Sequence, residues 1–226
     1  MLELRQNANY MLISKKQAIK DRGILYSFLK RSVDLLFSWL AMPIYLILYA
    51  LVAAAAKMTD GGPVLYQSTR IGKDGKPFSM YKFRTMKMNA DRLEDFLTPE
   101  EIEEYQKEYK LEHDPRVTGI GSLLRKTSLD ELPQILNIIK NEMSLIGPRP
   151  VLEEETLLYG ENRSALLSVK PGLTGYWQAY ARNDVGYADG KRQEMELCYI
   201  KNRSLRLDTK IFFATIRRVL SRKGVF

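Results

Sequence analysis

Residues 35–56 read LLFSWLAMPIYLILYALVAAAA, with no charged residue among them. As a helix, about 20 such residues rising about 1.5 Å each reach across the roughly 30 Å hydrocarbon layer of a bilayer. Pro43 interrupts the run. Proline lacks the backbone N–H, and its ring crowds the preceding turn, so a kink or break is expected there. The flanks add a second constraint. Lys15, Lys16, Lys20, Arg22, Lys30 and Arg31 precede the run; Lys57, Arg70, Lys73, Lys76, Lys82 and Arg84 follow it. Basic residues mark the cytoplasmic side of a membrane segment, and here both ends carry the mark. A single crossing satisfies only one of them. A re-entrant helix, entering one leaflet, breaking near Pro43 and returning, satisfies both, provided its freed backbone groups find partners.

From that segment the chain divides into a basic N-terminal segment (1–34), the re-entrant membrane helix (35–56) and a cytoplasmic catalytic domain (57–226). The expected fold class is α+β: a mostly helical, membrane-associated domain with a small β-hairpin and interfacial amphipathic helices. No secretory signal peptide is expected, since the first apolar run begins at Leu35.

The 226 residues carry a formal net charge of +8 and a single cysteine, Cys198. The positive balance favours a polyanionic partner: nucleic acid, phosphorylated small molecules or an anionic lipid surface. One cysteine excludes a disulfide framework. With His113 the only histidine, no zinc site built from several histidines or cysteines can form.

Downstream of Gly61-Gly62-Pro63, two β-rich runs flank Lys73-Asp74-Gly75-Lys76, a hairpin signal. Thr98, Pro99 and Glu101 announce a capped surface helix over 98–110, with Ile102, Tyr105 and Tyr109 as its apolar stripe and Glu103–Lys107 as an i, i+4 pair. His113-Asp114-Pro115-Arg116 makes a turn. Leu132, Ile135, Leu136 and Ile139 follow one helical face, and Glu194 to Ile200 is expected to be helical. Residues 208–222 set Phe212, Phe213, Ile216, Val219 and Leu220 against Lys210, Arg217, Arg218 and Arg222. This mixture of aromatic and basic residues favours a membrane surface over a core helix.

SLDELPQ (128–134) places Asp130 and Glu131 side by side. One reading is a capping box, Ser128-x-x-Glu131, at an ordinary helix start. The other starts the helix at Pro133, leaving both carboxylates in the turn ahead of it. Arg125 lies one short turn earlier. Arg149, between Pro148 and Pro150, presents a guanidinium fork from a stiff backbone, and such a fork matches a phosphate bidentately. Carboxylates among cations can hold a divalent ion through oxygen ligands, or one can attack phosphorus to give an acyl phosphate.

KFRTM (82–86), DPRVT (114–118), LRKTSLDELPQ (124–134), NEMSLIGPRP (141–150) and KPGLTGYWQ (170–178), with the apolar run and RLD (206–208), resemble the bacterial sugar transferases. These are the monotopic phosphoglycosyl transferases, here in a minimal form, and the likeness spans roughly residues 25–220. It implies transfer of a sugar 1-phosphate from a UDP-sugar to undecaprenyl phosphate with release of UMP, dependent on Mg²⁺ (or Mn²⁺). It implies Asp130 as nucleophile through a covalent intermediate, Glu131 as its acid–base or metal-positioning neighbour, and both carboxylates as metal ligands. Lys82, Arg84, Arg125 and Arg149 match basic, phosphate-facing positions. The expected location is the cytoplasmic face of the bacterial inner membrane, among membrane lipid; a homodimer is left open. Two rival classes remain: a membrane adaptor without catalysis, and a nucleic-acid binder using Tyr176-Trp177 as a stacking platform. No nucleic acid is expected as partner.

Overall fold

The computed structural model describes residues 22–108, 111, 113–181 and 190–221. Tyr109, Arg222, most of the basic 1–34 segment and the side chains of Lys107 and Leu220 lie outside the described residues. Within them the chain is mostly helical, with two sheets of two strands each.

The apolar run sits in one helix, α1 (Gly23–Thr59), which starts well before Leu35. Pro43 lies inside α1, and the helix continues through it, where the sequence led us to expect a kink or a break. A proline withholds one hydrogen bond, and the other turns of a 37-residue helix can carry the chain past it. The C-terminus is closed by Gly61, whose φ of +65° is left-handed, with its N–H and that of Asp60 donating to the Ala56 carbonyl. Only 22% of the most apolar stretch of α1 is buried. Trp39 and Leu40 are 65% and 69% exposed, so α1 is not the core helix of a globular domain. A narrow stripe through Asp34, Ser38, Ala41, Tyr45, Val52 and Ala56 is buried, at helical spacing.

Next comes the expected hairpin, β1 (Leu65–Ile71) and β2 (Pro77–Phe83). Asp74 (φ +60°) and Gly75 (φ +75°) both adopt the left-handed conformation that a tight two-residue hairpin turn demands. The capped surface helix is α2 (Pro99–Glu108): the Thr98 N–H donates to Glu101 Oε2 at 2.8 Å, and the Glu101 N–H to Thr98 Oγ1 at 3.3 Å.

By internal packing the described chain forms two compact units. One takes residues up to Ala41, Ser68–Met80 and Gln134 onward; the other takes Met42–Gln67 and Tyr81–Pro133. The segment read as a single domain from residue 57 thus contributes to both.

The first unit holds α4 (Ile135–Ile139), β3 (Ser144–Ile146), α5 (Glu153–Leu157), α6 (Arg163–Leu166), β4 (Gly172–Thr174), α7 (Tyr176–Ala181), α8 (Lys191–Asn202) and α9 (Leu205–Leu220), whereas α3 (Gly119–Thr127) belongs to the other unit. β3 and β4 pair in parallel, Ser144 with Gly172 and Ile146 with Thr174, a sheet the sequence reading did not foresee. Its glycines are steric necessities: a Cβ on Gly147 would lie 2.6 Å from the Lys170 carbonyl, and one on Gly175 would lie 2.1 Å from the Gly147 carbonyl. The core gathers Ile146, Tyr159, Tyr199, Ile200 and Ile211, with Phe37 and Phe212 against it.

Polar groups tie the N-terminal part of α1 into this unit. Lys30 Nζ donates to Asp208 Oδ2 at 2.8 Å and to the Ile146 carbonyl at 2.9 Å. Asp34 accepts from the Leu145 N–H (2.8 Å) and Ser144 Oγ (3.0 Å). Arg31 donates to the carbonyls of Ile138 (2.6 Å) and Ile139 (3.0 Å) at the C-terminal end of α4. α9 shows two apolar faces: Leu207, Ile211, Phe212 and Ala214 face the core, while Phe213 is 63% exposed and Ile216 and Val219 are partly so.

The second unit is built on a staple in DPRVT. Arg116, 2% exposed, donates through Nε (2.8 Å) and Nη2 (2.7 Å) to the Asp114 carboxylate and through Nη1 to the Ala90 carbonyl (3.1 Å). Its guanidinium lies 4.3 Å from the Tyr105 ring centroid. Thr118 caps α3 (Gly119–Thr127) by accepting from the Gly121 N–H at 3.0 Å.

Candidate active site

The Asp-Glu pair lies in a 3₁₀ turn, Leu129–Gln134, that leads into α4. This settles the two sequence readings of SLDELPQ. Ser128 has φ +56° and closes α3 as its C-cap, whereas an N-cap residue is extended. The Ser128 N–H donates to the Arg125 carbonyl at 3.0 Å, and the Glu131 carboxylate accepts from Lys82 Nζ at 3.0 Å. The α-helix starts at Ile135, just beyond Pro133, so both carboxylates precede it. Asp130 and Glu131 are half-buried.

KFRTM positions the surroundings of that turn within the second unit. Lys82, at the end of β2, pairs with Glu131. Phe83 is 1% exposed and stacks on Tyr45 of α1, ring centroids 5.9 Å apart. Arg84 forks onto Asp60, both Nη–Oδ distances being 2.6 Å, and its Nε donates to the Pro63 carbonyl. The guanidinium holds the Asp60 carboxyl well below its usual range. Thr85 accepts from Arg125 Nε through Oγ1 (2.9 Å), and its carbonyl accepts from the Thr118 N–H (2.9 Å). A Cβ on Gly121 would come within 2.0 Å of that carbonyl, so only glycine lets α3 approach so closely. Met86 bridges to Val117.

Of the six expected site residues, the second unit therefore holds Asp130, Glu131, Lys82, Arg84 and Arg125, while Arg149 belongs to the first. Lys82 touches the Asp-Glu pair, and Arg125 is oriented through Nε. Arg84 is occupied by Asp60 and by backbone carbonyls. Thr85 was missed in the sequence reading, although KFRTM contains it; a small hydroxyl directly after Arg84 was the available signal.

In the first unit, the Arg149 N–H donates to Glu196 Oε1 at 3.1 Å, and its guanidinium carbon lies 5.9 Å from the Trp177 ring centroid. Trp177 is 6% exposed, with the Arg192 guanidinium 4.2 Å from the same centroid. A buried ring already covered by an arginine offers no stacking platform for bases, which removes one of the two observations behind the nucleic-acid reading, the other being the positive charge.

Residues 25–222 match the family described as bacterial sugar transferase. The chain belongs to the bacterial sugar transferase family. It is 47% identical over 200 residues to the exopolysaccharide production protein ExoY of Sinorhizobium fredii, covering 87% of this chain and 88% of that one. It is 37% identical over 197 residues to the sugar transferase EpsL of Bacillus subtilis, covering 87% and 90%. Against the undecaprenyl-phosphate galactose phosphotransferase of Salmonella typhimurium it is 42% identical over 206 residues, 88% of this chain but 42% of that longer protein. For a sugar transferase, a half-buried carboxylate pair with an ammonium on one member is an arrangement suited to phosphate chemistry.

Proposed function

We propose that the chain transfers a sugar 1-phosphate from a UDP-sugar to undecaprenyl phosphate, releasing UMP, as the first membrane step of a bacterial glycan. The observation that carries this reading is the half-buried 3₁₀ turn in which Lys82 holds Glu131 beside Asp130. The names of the Salmonella typhimurium relative and of a relative from Erwinia amylovora, a UDP-galactose-lipid carrier transferase 42% identical, support the donor and the acceptor.

In this reading the Asp130 carboxylate attacks the phosphorus that bears the sugar. A carboxylate O–P bond forms, the bridging P–O bond breaks, and UMP leaves with its electron pair. An oxygen of undecaprenyl phosphate then attacks the same phosphorus. The carboxylate is released and the lipid diphosphate sugar forms. Glu131, tied to Lys82, is the positioning or proton-handling partner. Lys82 and Arg125 offset the repulsion between an anionic nucleophile and a diphosphate.

Among the described residues no three or more carboxylate, histidine or cysteine groups gather as a metal cage. The donors the protein brings are the Asp130 and Glu131 carboxylates. That set fits Mg²⁺, which is held by one or two carboxylates and completes its shell with water and substrate phosphates. When bound, the ion would neutralise charge on the diphosphate.

The exposed apolar surface of α1 supports membrane association, and basic residues at both of its ends support a re-entrant course on the cytoplasmic face of the inner membrane. Single cysteines near residues 20 and 74, in a Cys198→Ser background, should both resist an impermeant reagent added outside cells. Labelling of one site alone would mean that α1 crosses.

The chemistry is tested by incubating purified enzyme with undecaprenyl phosphate and a panel of UDP-sugars and scoring UMP. At least one sugar should turn over, and excess EDTA should stop it. Silence across the panel, or full activity in EDTA, would count against the donor class or the metal respectively.

A further inference from the structure

Pro148 and Pro150 lack backbone N–H groups, so Arg149 supplies the only backbone donor in the PRP stretch. That donor is bonded to Glu196 Oε1, a carboxylate on α8 with no solvent exposure. Glu196 Oε2 has no hydrogen-bond partner among the described residues. Burying a carboxylate is costly, and an apolar side chain of similar volume would ordinarily serve a core better. The carboxylate faces two cations, Arg149 and Arg192, both of which also lie near the Trp177 ring.

We propose that Glu196 is a positioning residue for Arg149: by accepting the Arg149 N–H between two prolines it fixes the backbone from which the guanidinium departs. The cost of the buried carboxylate is then offset by a hydrogen bond that an apolar residue cannot make, and by two arginines sharing its countercharge. Trp177 flanks the Arg149 guanidinium and narrows its range of orientations. The functional consequence rests on the reading of Arg149 as a substrate-phosphate group.

The experiment compares Glu196→Gln, which keeps an acceptor oxygen, with Glu196→Leu, which keeps volume alone. We expect Gln to leave the KM for the UDP-sugar within about twofold and Leu to raise it roughly tenfold with little change in kcat. In an Arg149→Ala background, Leu should have no further effect. A second readout does not depend on turnover. Trp177 is one of two tryptophans, so in a Trp39→Phe variant its emission should shift with Leu and not with Gln. Should Glu196→Leu fail to fold, Glu196→Met, unbranched like glutamate, carries the same comparison. Equal effects of Gln and the apolar variant, or additivity with Arg149→Ala, would overturn the proposal. If Arg149→Ala alone leaves KM unchanged, the phosphate role of Arg149 falls, while the Trp177 emission still decides whether Glu196 holds it.

Discussion

Two arginines of the second unit, Arg116 and Arg125, stand nine residues apart in sequence and serve different ends. Arg116 is buried, and Asp114, the Ala90 carbonyl and the Tyr105 ring surround its guanidinium. Arg125 is half-exposed, and its Nε donates to Thr85 Oγ1. The same division appears among the lysines: Lys30 is committed to Asp208 and a backbone carbonyl, whereas Lys82 meets one oxygen of a half-buried carboxylate. A cation whose donors are all spent on the fold is architecture. A cation such as Lys82, held on one oxygen of a carboxylate in a short turn, can still meet a substrate anion.

That contrast can be broken by substitution. Arg116→Ala leaves Asp114 buried without its partner, and removal of one member of a buried pair costs about 3–5 kcal/mol. Denaturant unfolding should show a loss of this size, with activity falling only as the folded fraction falls. A stable but inactive Arg116→Ala enzyme would move Arg116 into the site. Lys82→Met should do the reverse: near-parental unfolding, because a partly exposed ion pair contributes little, and turnover reduced roughly 10²-fold. Unchanged turnover in Lys82→Met would reduce the Lys82–Glu131 contact to a surface pair.

A smaller effect sharpens the comparison from the side of pH. Burial pushes the Glu196 carboxyl from 4.5 up to about 7, partly countered by the Arg149 N–H and by the charges of Arg192 and Arg149. Between those values the folded protein holds a proton that the unfolded chain has released. This group's contribution to stability therefore falls as pH rises from about 4.5 to about 7 and is level above that. Unfolding measured from pH 5 to 8 should show the parent losing stability relative to Glu196→Gln as pH rises. Parallel curves would mean that the carboxyl ionises normally.

Much of this was legible in the sequence because local chemistry determined it. Asp74-Gly75 made its hairpin turn, Thr98-x-x-Glu101 its capping box, and the uncharged run 35–56 its long exposed helix. The rest depended on partners distant in sequence. Nothing near Ser128 announces that it ends α3 instead of starting the next helix. Glu131 is turned by Lys82, 49 positions away, and Arg84 is taken up by Asp60, 24 positions away. The parallel β3–β4 pair joins two three-residue strands separated by a long crossover, too short for periodicity to reveal. At Pro43 the local rule announced a kink or a break, and α1 continues through that position as one helix.

The central claim is that Asp130 is the nucleophile. Purified enzyme incubated with a UDP-sugar that it turns over, but without undecaprenyl phosphate, should release UMP up to one equivalent and gain the mass of one sugar phosphate. Peptide mapping should place that mass on Asp130. Asp130→Asn should show neither the adduct nor the stoichiometric UMP. An adduct on another residue, or an Asp130→Asn enzyme that turns over at the parental rate, would contradict the account.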